Sequence, residues 1–276
     1  MVSRNRASAH YPAYDQARTL PECGSPRTLW AMSAAYDAIG QGYAVRRRAD
    51  PRIVAAIEAA LGDARTVLNV GAGAGSYESR GREVLALEPS WTMIAQRPAR
   101  TAQAVQGRAE ALPIRSGAFD AVMGVLTLHH WSDLRAGIAE CQRVARQRVV
   151  LLTIDMKVCA NFWFYQYFPE MLPIDQAIFP SMGQIANLLG SADVRVVPIP
   201  ADCQDGFLCA YWRRPSAYLD PGVRASISSF SKSGPIEDRL RSLERDIQTG
   251  EWSRRNASLQ QLDALDLGYR LVIAIH

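Results

Sequence analysis

Thr66–Glu78 reads TVLNVGAGAGSYE, an apolar run that leads directly into three glycines at alternate positions. Val67–Val70 is mostly apolar, which is typical of a strand buried on both faces of a parallel sheet. Gly71, Gly73 and Gly75 lack a Cβ, so the backbone can turn sharply and a ligand can lie almost against the main chain. The segment therefore predicts a buried strand that ends in a ligand-binding turn.

A second apolar run, Val84–Leu87, ends in Glu88. A carboxylate at the tip of this strand can accept hydrogen bonds from both hydroxyls of a ribose, which indicates a nucleoside-binding site. Dinucleotide-binding proteins use G-x-G-x-x-G, with the pyrophosphate at a helix N-terminus. Here the third glycine is Gly75 and position 76 is serine, so the pattern is G-x-G-x-G and favours a ligand without phosphate.

Strand and helix patterns alternate after the turn, which predicts an α/β fold with a parallel sheet between helices. The predicted strands are Arg65–Val70, Glu83–Leu87, Ala102–Gln106, Ala118–Leu126, Arg148–Ile154, Val194–Ile199 and Gly206–Trp212. Predicted helices follow Asp50-Pro51, Ser90, Ser132 and Ser181, each of which can cap a helix N-terminus. The last two strands are separated only by a short polar turn, so we expect them to form an antiparallel hairpin.

Bulk properties exclude several classes of protein. The chain has 276 residues, five cysteines without a C-x-x-C pair, and a net charge of +4. The cysteine pattern argues against a disulfide framework or a metal site. No signal peptide or spanning apolar segment is recognised, and no long basic stripe favours nucleic acid. We expect a cytoplasmic protein, monomer or homodimer, without membrane or nucleic-acid partners.

Four segments together resemble the class I S-adenosylmethionine-dependent methyltransferases, in their small-molecule branch. Thr66–Glu78 resembles the first motif, and LALEPSWTMIAQRP (Leu85–Pro98) resembles the second. GRAEALPIRSGAFDAV (Gly107–Val122) is similar to the adenine-side segment, and LTLHHWSDL (Leu126–Leu134) to the end of strand four. The resemblance implies a Rossmann-like, seven-stranded, mostly parallel sheet with a terminal antiparallel hairpin, and S-adenosylmethionine as cofactor without a metal.

The resemblance also implies which residues bind the cofactor. Glu88 would bind the ribose diol, Met93 would pack on the adenine ring, and Ala109 and Glu110 would meet the adenine edge. The other expected cofactor-binding residues are Gly71, Ala72, Gly73, Gly75, Pro89, Ser90 and Val125.

Two positions depart from the family pattern. Asn69 stands where an acid is common, and it contributes no negative charge near the sulfonium. Arg108 stands where an aspartate is common, so Glu110 or backbone carbonyls would have to accept from the adenine amine.

His129 and His130 follow the fourth predicted strand, at the edge where open α/β sheets bind ligands. An imidazole can take a proton from a hydroxyl, a ring nitrogen or an activated carbon, so both are candidate catalytic bases. Related small-molecule methyltransferases carry a similar H-H-x-x-D pattern, met here with Asp133. The alternative is a structural role, in which a histidine packs and Asp133 caps its helix.

The predicted domains are a helical cap or lid (1–50), a cofactor-binding core (51–214) with an insertion (156–180), and a C-terminal helical extension (215–276). Tyr36 of the cap is a candidate substrate residue, and Tyr43 and Arg47 are candidates for the cofactor's methionine end. The insertion contains FWFYQYF (Phe162–Phe168), in which Phe162, Trp163 and Tyr165 are candidates for a lid over the acceptor; core packing is the alternative. The tail, GYRLVIAI (Gly268–Ile275), fits a buried strand or a docked segment.

The predicted function is methyl transfer to a small organic acceptor at O, N or C, with secondary metabolism as a candidate setting. Two alternatives are a non-catalytic regulatory protein that binds the cofactor and an NAD-dependent oxidoreductase. The oxidoreductase would require the third glycine one residue later.

Overall fold

The computed structural model describes residues 47–276. Its strands are β1 (Thr66–Val70), β2 (Glu83–Glu88), β3 (Gln103–Gln106), β4 (Phe119–Val125), β5 (Ala145–Ile154), β6 (Asp193–Val196), β7 (Ile199–Pro200), β8 (Ala264–Leu265) and β9 (Tyr269–Ile275). Its α-helices are α1 (Pro51–Leu61), α2 (Trp91–Ala95), α3 (Leu134–Val144), α4 (Met156–Cys159), α5 (Phe164–Tyr167), α6 (Met171–Ile178), α7 (Met182–Leu189), α8 (Pro221–Ala225), α9 (Ser228–Lys232), α10 (Glu237–Gln248) and α11 (Glu251–Arg255).

Seven strands form the central sheet, in the order β3-β2-β1-β4-β5-β9-β6. The pairs from β3 to β5 are parallel, whereas β9 is antiparallel to both β5 and β6. The chain moves outward from β1 to β3 and then returns to place β4 beside β1. This reversal opens a crevice at the carboxyl ends of β1 and β4, where open α/β sheets bind ligands.

Each face of the sheet has its own hydrophobic core, because successive strand residues point to opposite faces. Val67 of β1 packs with Ile53 and Ile57 of α1 on one face. Leu68 packs with Ile138 of α3 on the other. The mostly apolar strands are therefore covered on both sides, as expected of a parallel sheet.

The seven-stranded, mostly parallel fold is confirmed. The prediction that Gly206–Trp212 forms the last strand of the sheet is wrong. Gly206–Trp212 contains a 3-10 turn (Leu208–Tyr211), and the seventh strand is the tail segment β9. The apolar residues at 206–212 are buried without pairing into the sheet. The Phe207 ring lies 4.7 Å from the Tyr269 ring, and the Trp212 indole N–H donates to the Ile199 carbonyl at 2.9 Å. Burial of this kind gives the same sequence pattern as a strand.

Capping residues set most helix starts as predicted. Asp50 accepts from the Arg52 N–H at 3.0 Å, and Ser181 forms a capping box with Gln184. The third helix is the exception, since Asp133 and not Ser132 is its N-cap. Ser132 instead bonds to Glu110, a contact that matters at the site.

The aromatic residues of the insertion belong to the hydrophobic core, and their contact with an acceptor stays a prediction. Phe162, Trp163 and Tyr165 are each at most 5% exposed. Trp163 packs edge-on against Tyr218 and Trp252, which belong to the C-terminal region. The insertion and the C-terminal helices therefore share one aromatic core. In the described part of the chain, no helix combines the length and apolarity needed to cross a membrane.

Candidate functional site

The glycine turn is fixed to the neighbouring strand by its backbone. The N–H groups of Gly71 and Ala72 both donate to the Leu87 carbonyl, at 2.8 and 3.1 Å. Gly71, Gly73 and Gly75 all have positive φ, a conformation that glycine adopts without a Cβ penalty. The three glycines predicted to form the turn are thus required by its shape.

Glu88 lies at the carboxyl end of β2, directly across from this turn. Its Oε2 accepts from the Gly73 N–H at 2.8 Å, and its Oε1 accepts from the Ser90 N–H at 3.0 Å. The carboxylate is 5% exposed, and burial raises its pKa despite these two hydrogen bonds. The structure therefore brings Glu88, Gly73 and Ser90 together, as the sequence predicts.

A buried ion pair supports the turn from behind. Arg97 and Glu78 pair with side chains that are each 5% exposed. Arg97 also donates to the Gly73 carbonyl at 2.9 Å, and the Asn69 amide donates to Glu78 at 3.3 Å. Asn69, which departs from the family pattern, is therefore the neutral end of a network that holds the glycine turn.

Met93 lies close to Gly73 of the turn, and the adenine-side segment follows β3 directly. Met93 is 2% exposed, and its Cε would be 3.4 Å from a Cβ added at Gly73. Ala109 is buried, while Glu110 accepts from the Ser132 N–H at 2.6 Å and hydroxyl at 2.8 Å. Burial alone would raise the pKa of Glu110, but these bonds and the charge of Arg108 lower it. Its oxygens thus already have partners, and its contact with adenine stays a prediction.

The backbone is strained at the residue that follows β4. Among residues 47–276, Leu126 is the one non-glycine residue with positive φ, at 51°. The chain then forms a 3-10 turn (Leu128–His130), in which the ring centroids of His129 and His130 are 3.7 Å apart. The Phe179 ring covers His129 at 4.4 Å. Strain at this position directs both predicted histidines to the carboxyl edge of the sheet, next to Val125.

Both imidazoles are held neutral by their surroundings. Burial lowers the pKa of His129 well below its ordinary value, and the charges of His130, Lys232 and Arg47 add to this effect. Burial, Lys232 and Arg47 together lower the pKa of His130 to about 3. A neutral imidazole can accept a proton, but general-base catalysis is most efficient when the pKa of the base lies near the working pH, so the lowered pKa makes both side chains weak bases in the free protein.

We expect both imidazoles to stay neutral between about pH 8 and about pH 5, because protonation would bury a positive charge beside two others. An NMR titration of the imidazole Cε1–H resonances, assigned with His129→Gln and His130→Gln, measures this directly. A titration midpoint near the ordinary value of 6.5 for either residue would contradict the expectation.

Arg47 lies beside the glycine turn but is bound to Asp205. Its Nε donates to Asp205 at 2.7 Å, and its carbonyl accepts from the Ser76 hydroxyl at 2.9 Å. The Tyr77 hydroxyl donates to the same carboxylate. The predicted pairing of Arg47 with the cofactor's carboxylate stays a prediction, and Tyr36 and Tyr43 lie outside the described residues.

Sequence reasoning missed five residues at this site: Glu78, Arg97, Thr127, Phe179 and Lys232. Thr127 is buried against the turn, where its Oγ1 would be 1.9 Å from a Cβ added at Gly71. A threonine after a strand carries no distinctive signal. Glu78 and Arg97 are separated by a whole strand–helix unit, so no local pattern pairs them.

The residues fit an adenosyl cofactor. Gly71, Gly73 and Gly75 place no side chain between the backbone of the turn and a ligand, and Glu88 offers a carboxylate that no cation of the described chain pairs with directly. Within residues 47–276, no group of three or more metal-ligating side chains is found.

Comparison with known proteins agrees with this geometry. A family model described as a methyltransferase domain matches residues 68–153. A protein of Anabaena variabilis, described as a methyltransferase from an antibiotic biosynthesis pathway, is 34% identical, with a TM-score of 0.78 over 83% of this chain and 98% of that chain. Comparison with curated protein sequences gives no match.

Two more distant structures share the fold. A S-adenosylmethionine-dependent methyltransferase of Thermotoga maritima is 20% identical, with a TM-score of 0.50 over 62% of this chain and 85% of that chain. Phosphoethanolamine N-methyltransferase 2 of Haemonchus contortus, solved with S-adenosylmethionine, is 12% identical, with a TM-score of 0.50 over 91% of this chain and 57% of that chain. Given the extent and identity of the Anabaena match, the chain belongs to the S-adenosylmethionine-dependent methyltransferase family.

Proposed function

We propose that this protein transfers the methyl group of S-adenosylmethionine to a small organic acceptor, with the acceptor atom facing His129 and His130. The observation that carries the proposal is the juxtaposition of two features at one sheet edge. One is the Glu88 carboxylate against the glycine turn. The other is a pair of neutral imidazoles at the end of β4. The first suits a nucleoside, and the second offers imidazole nitrogens that can accept a hydrogen bond or a proton from the acceptor.

In this proposal, the bound cofactor supplies a methyl group on a positively charged sulfur. Glu88 accepts from the ribose hydroxyls, and Met93 and Ala109 contact the adenine. Gly71 and Ala72 line the methionine portion, where the lack of large side chains lets the ligand approach the backbone. These contacts orient the methyl group for in-line attack, which is the main requirement of methyl transfer.

His129 or His130 takes the acceptor's proton where the acceptor has one to lose. Phe179 and the buried aromatic core keep bulk water away from this edge, which strengthens the polar contacts made there. A secondary-metabolite acceptor is supported by the description of the Anabaena protein, which assigns it to antibiotic biosynthesis. Phe162, Trp163 and Tyr165 stay candidates for contact with the acceptor, from their buried positions in the aromatic core.

Titration of S-adenosylhomocysteine into the protein, followed by calorimetry at about pH 8, tests the proposal. Glu88→Gln is expected to weaken binding about 10- to 150-fold, the contribution of a hydrogen bond to a charged group. Glu83→Gln is the matched control, since Glu83 is the exposed residue at the opposite end of the same strand. Because the pKa of Glu88 is raised, affinity should fall as the pH drops through that pKa. Equal affinities of the two variants would contradict the proposal.

A further inference from the structure

A buried carboxylate that is distant in the sequence contacts the segment that follows the glycine turn. Asp205 is 0% exposed. Its Oδ1 accepts from the Arg47 Nε at 2.7 Å and from the Gly206 N–H at 2.7 Å. Its Oδ2 accepts from the Tyr77 hydroxyl, also at 2.7 Å. Both oxygens of the carboxylate therefore have partners, and one of these partners lies two residues after Gly75.

Two further contacts join the same parts of the chain. Asp50, which is also 0% exposed, accepts from the Gln204 N–H at 3.0 Å. The Ser76 hydroxyl donates to the Arg47 carbonyl at 2.9 Å. The residues that precede α1, the residues that follow the glycine turn and the segment around Asp205 are thus linked to one another by polar contacts. Asp205 lies where the three segments meet.

A stabilising role alone does not explain why these groups are buried. The side chain of Arg47 is 14% exposed and that of Asp205 is 0% exposed, so both charges are largely removed from water. Buried ion pairs add little net stability compared with apolar side chains of similar size, and their best-attested use is to fix one arrangement of the chain. Burial and the charge of Asp205 raise the pKa of Tyr77, so its hydroxyl keeps its proton and remains a donor.

The position of Tyr77 is transmitted to the backbone that would line the cofactor. The turn closes on itself, because the Gly75 N–H donates to the Ala72 carbonyl at 2.9 Å. A shift of Tyr77 would therefore move Gly75 and, through this bond, Ala72. Glu88 is less dependent on the end of the turn, since it also accepts from the Ser90 N–H at 3.0 Å. Asp205 thus has more influence on the methionine side of the site than on the ribose side.

We propose that Asp205 is a positioning residue of the cofactor site, which fixes the end of the glycine turn through Tyr77 and so sets the affinity for the methionine portion of the cofactor. This inference rests on the proposed function, since it concerns the cofactor of the same site. Asp205 acts through Tyr77 and Arg47 and takes no part in methyl transfer itself.

S-adenosylhomocysteine and 5′-methylthioadenosine are suitable probes, because they share the adenosine and the sulfur and only the first carries the amino-acid portion. Each is titrated into the full chain by calorimetry. Asp205→Asn is expected to lower the affinity for S-adenosylhomocysteine about fivefold or more, as for coupling between two sites. The affinity for 5′-methylthioadenosine should remain nearly unchanged. Tyr77→Phe removes only the hydroxyl and should give a smaller loss of the same selective kind.

Asp202→Asn is the matched control. Asp202 lies in the same segment, but its side chain is 78% exposed and its pair with Arg52 is at the surface, so we expect little change in either affinity. An equal loss of affinity for both probes in Asp205→Asn, or a loss no larger than that of Asp202→Asn, would overturn the inference.

Urea unfolding shows whether each variant is folded. If Asp205→Asn does not fold, Tyr77→Phe decides the question, because unmodified affinity of that variant for S-adenosylhomocysteine would overturn the inference. Failure of the unmodified protein to bind S-adenosylhomocysteine would instead overturn the proposed function, so the two failures are distinguishable.

Discussion

Arg97→Met is expected to lower the free energy of unfolding by about 3–5 kcal/mol, because it leaves the Glu78 carboxylate buried without its partner. Both side chains are 5% exposed, so water cannot replace the lost ion pair. The Gly73 and Ala102 carbonyls also lose a donor. Urea unfolding measures the change in stability. Binding of S-adenosylhomocysteine should weaken as well, since Gly73 presents its N–H to Glu88.

Two further variants test whether the loss of stability comes from a buried carboxylate that has lost its ion-pair partner. Glu78→Gln in the Arg97→Met background removes the unpaired carboxylate and should recover much of the lost stability. Arg195→Met breaks a pair of which both members are more than half exposed, and should change stability little. If Arg97→Met were as mild as Arg195→Met, the buried pair would not support the glycine turn.

Local sequence predicted the glycine turn, the position of Glu88 and the serine cap because each signal there is contained in a few residues. The G-x-G-x-G turn, the acid at the end of β2 and the serine cap of α2 each depend on neighbours in the chain. The backbone of Gly73 and the carboxylate of Glu88 meet because two parallel strands end at the same edge. Periodicity and turn chemistry are therefore sufficient for these residues.

The seventh strand could not be assigned from the sequence because two segments compete for it. Gly206–Trp212 and Tyr269–Ile275 are both short and apolar, and strand patterns do not distinguish sheet pairing from helical burial. The structure selects the tail, whose residues pair with β5 from Arg148 to Ile154 and with β6 on the other side. Gly268, with φ of 87°, turns the chain into this strand.

The aromatic insertion and Lys232 show why local sequence could not predict the acceptor side of the site. A run such as FWFYQYF is consistent with either a lid or a core, and the choice depends on partners more than fifty residues away, Tyr218 and Trp252. Lys232, whose charge contributes to the lowered pKa of both histidines, ends a helix that packs on α6, far from His129 and His130 in the sequence. Contacts between distant segments carry no local pattern, so the acceptor side of the site depends on the tertiary structure.

Gly71→Ala is expected to damage both the fold and cofactor binding. The φ of 69° costs a residue with a Cβ about 1–2 kcal/mol. The new Cβ would also lie 1.9 Å from the Thr127 Oγ1, an overlap that requires the turn to shift. Such overpacking typically costs about 1–3 kcal/mol more. The shift would move Gly71 and Ala72 away from the Leu87 carbonyl, so affinity for S-adenosylhomocysteine should fall about tenfold or more, the contribution of one strong hydrogen bond.

Gly250→Ala measures the cost of backbone strain alone, without a steric overlap. Gly250 also has a left-handed backbone, with φ of 74°, but a Cβ there would meet nothing within 4 Å. Its replacement should cost only the backbone strain and leave cofactor binding unchanged, whereas Gly71→Ala should cost more and lose affinity. Thr127→Ala in the Gly71→Ala background removes the overlapping hydroxyl and should restore part of both losses. If Gly71→Ala and Gly250→Ala had equal effects in urea unfolding and in calorimetry, backbone strain alone would explain the first glycine. The close contact between Thr127 and the turn would then contribute nothing to the shape of the cofactor site.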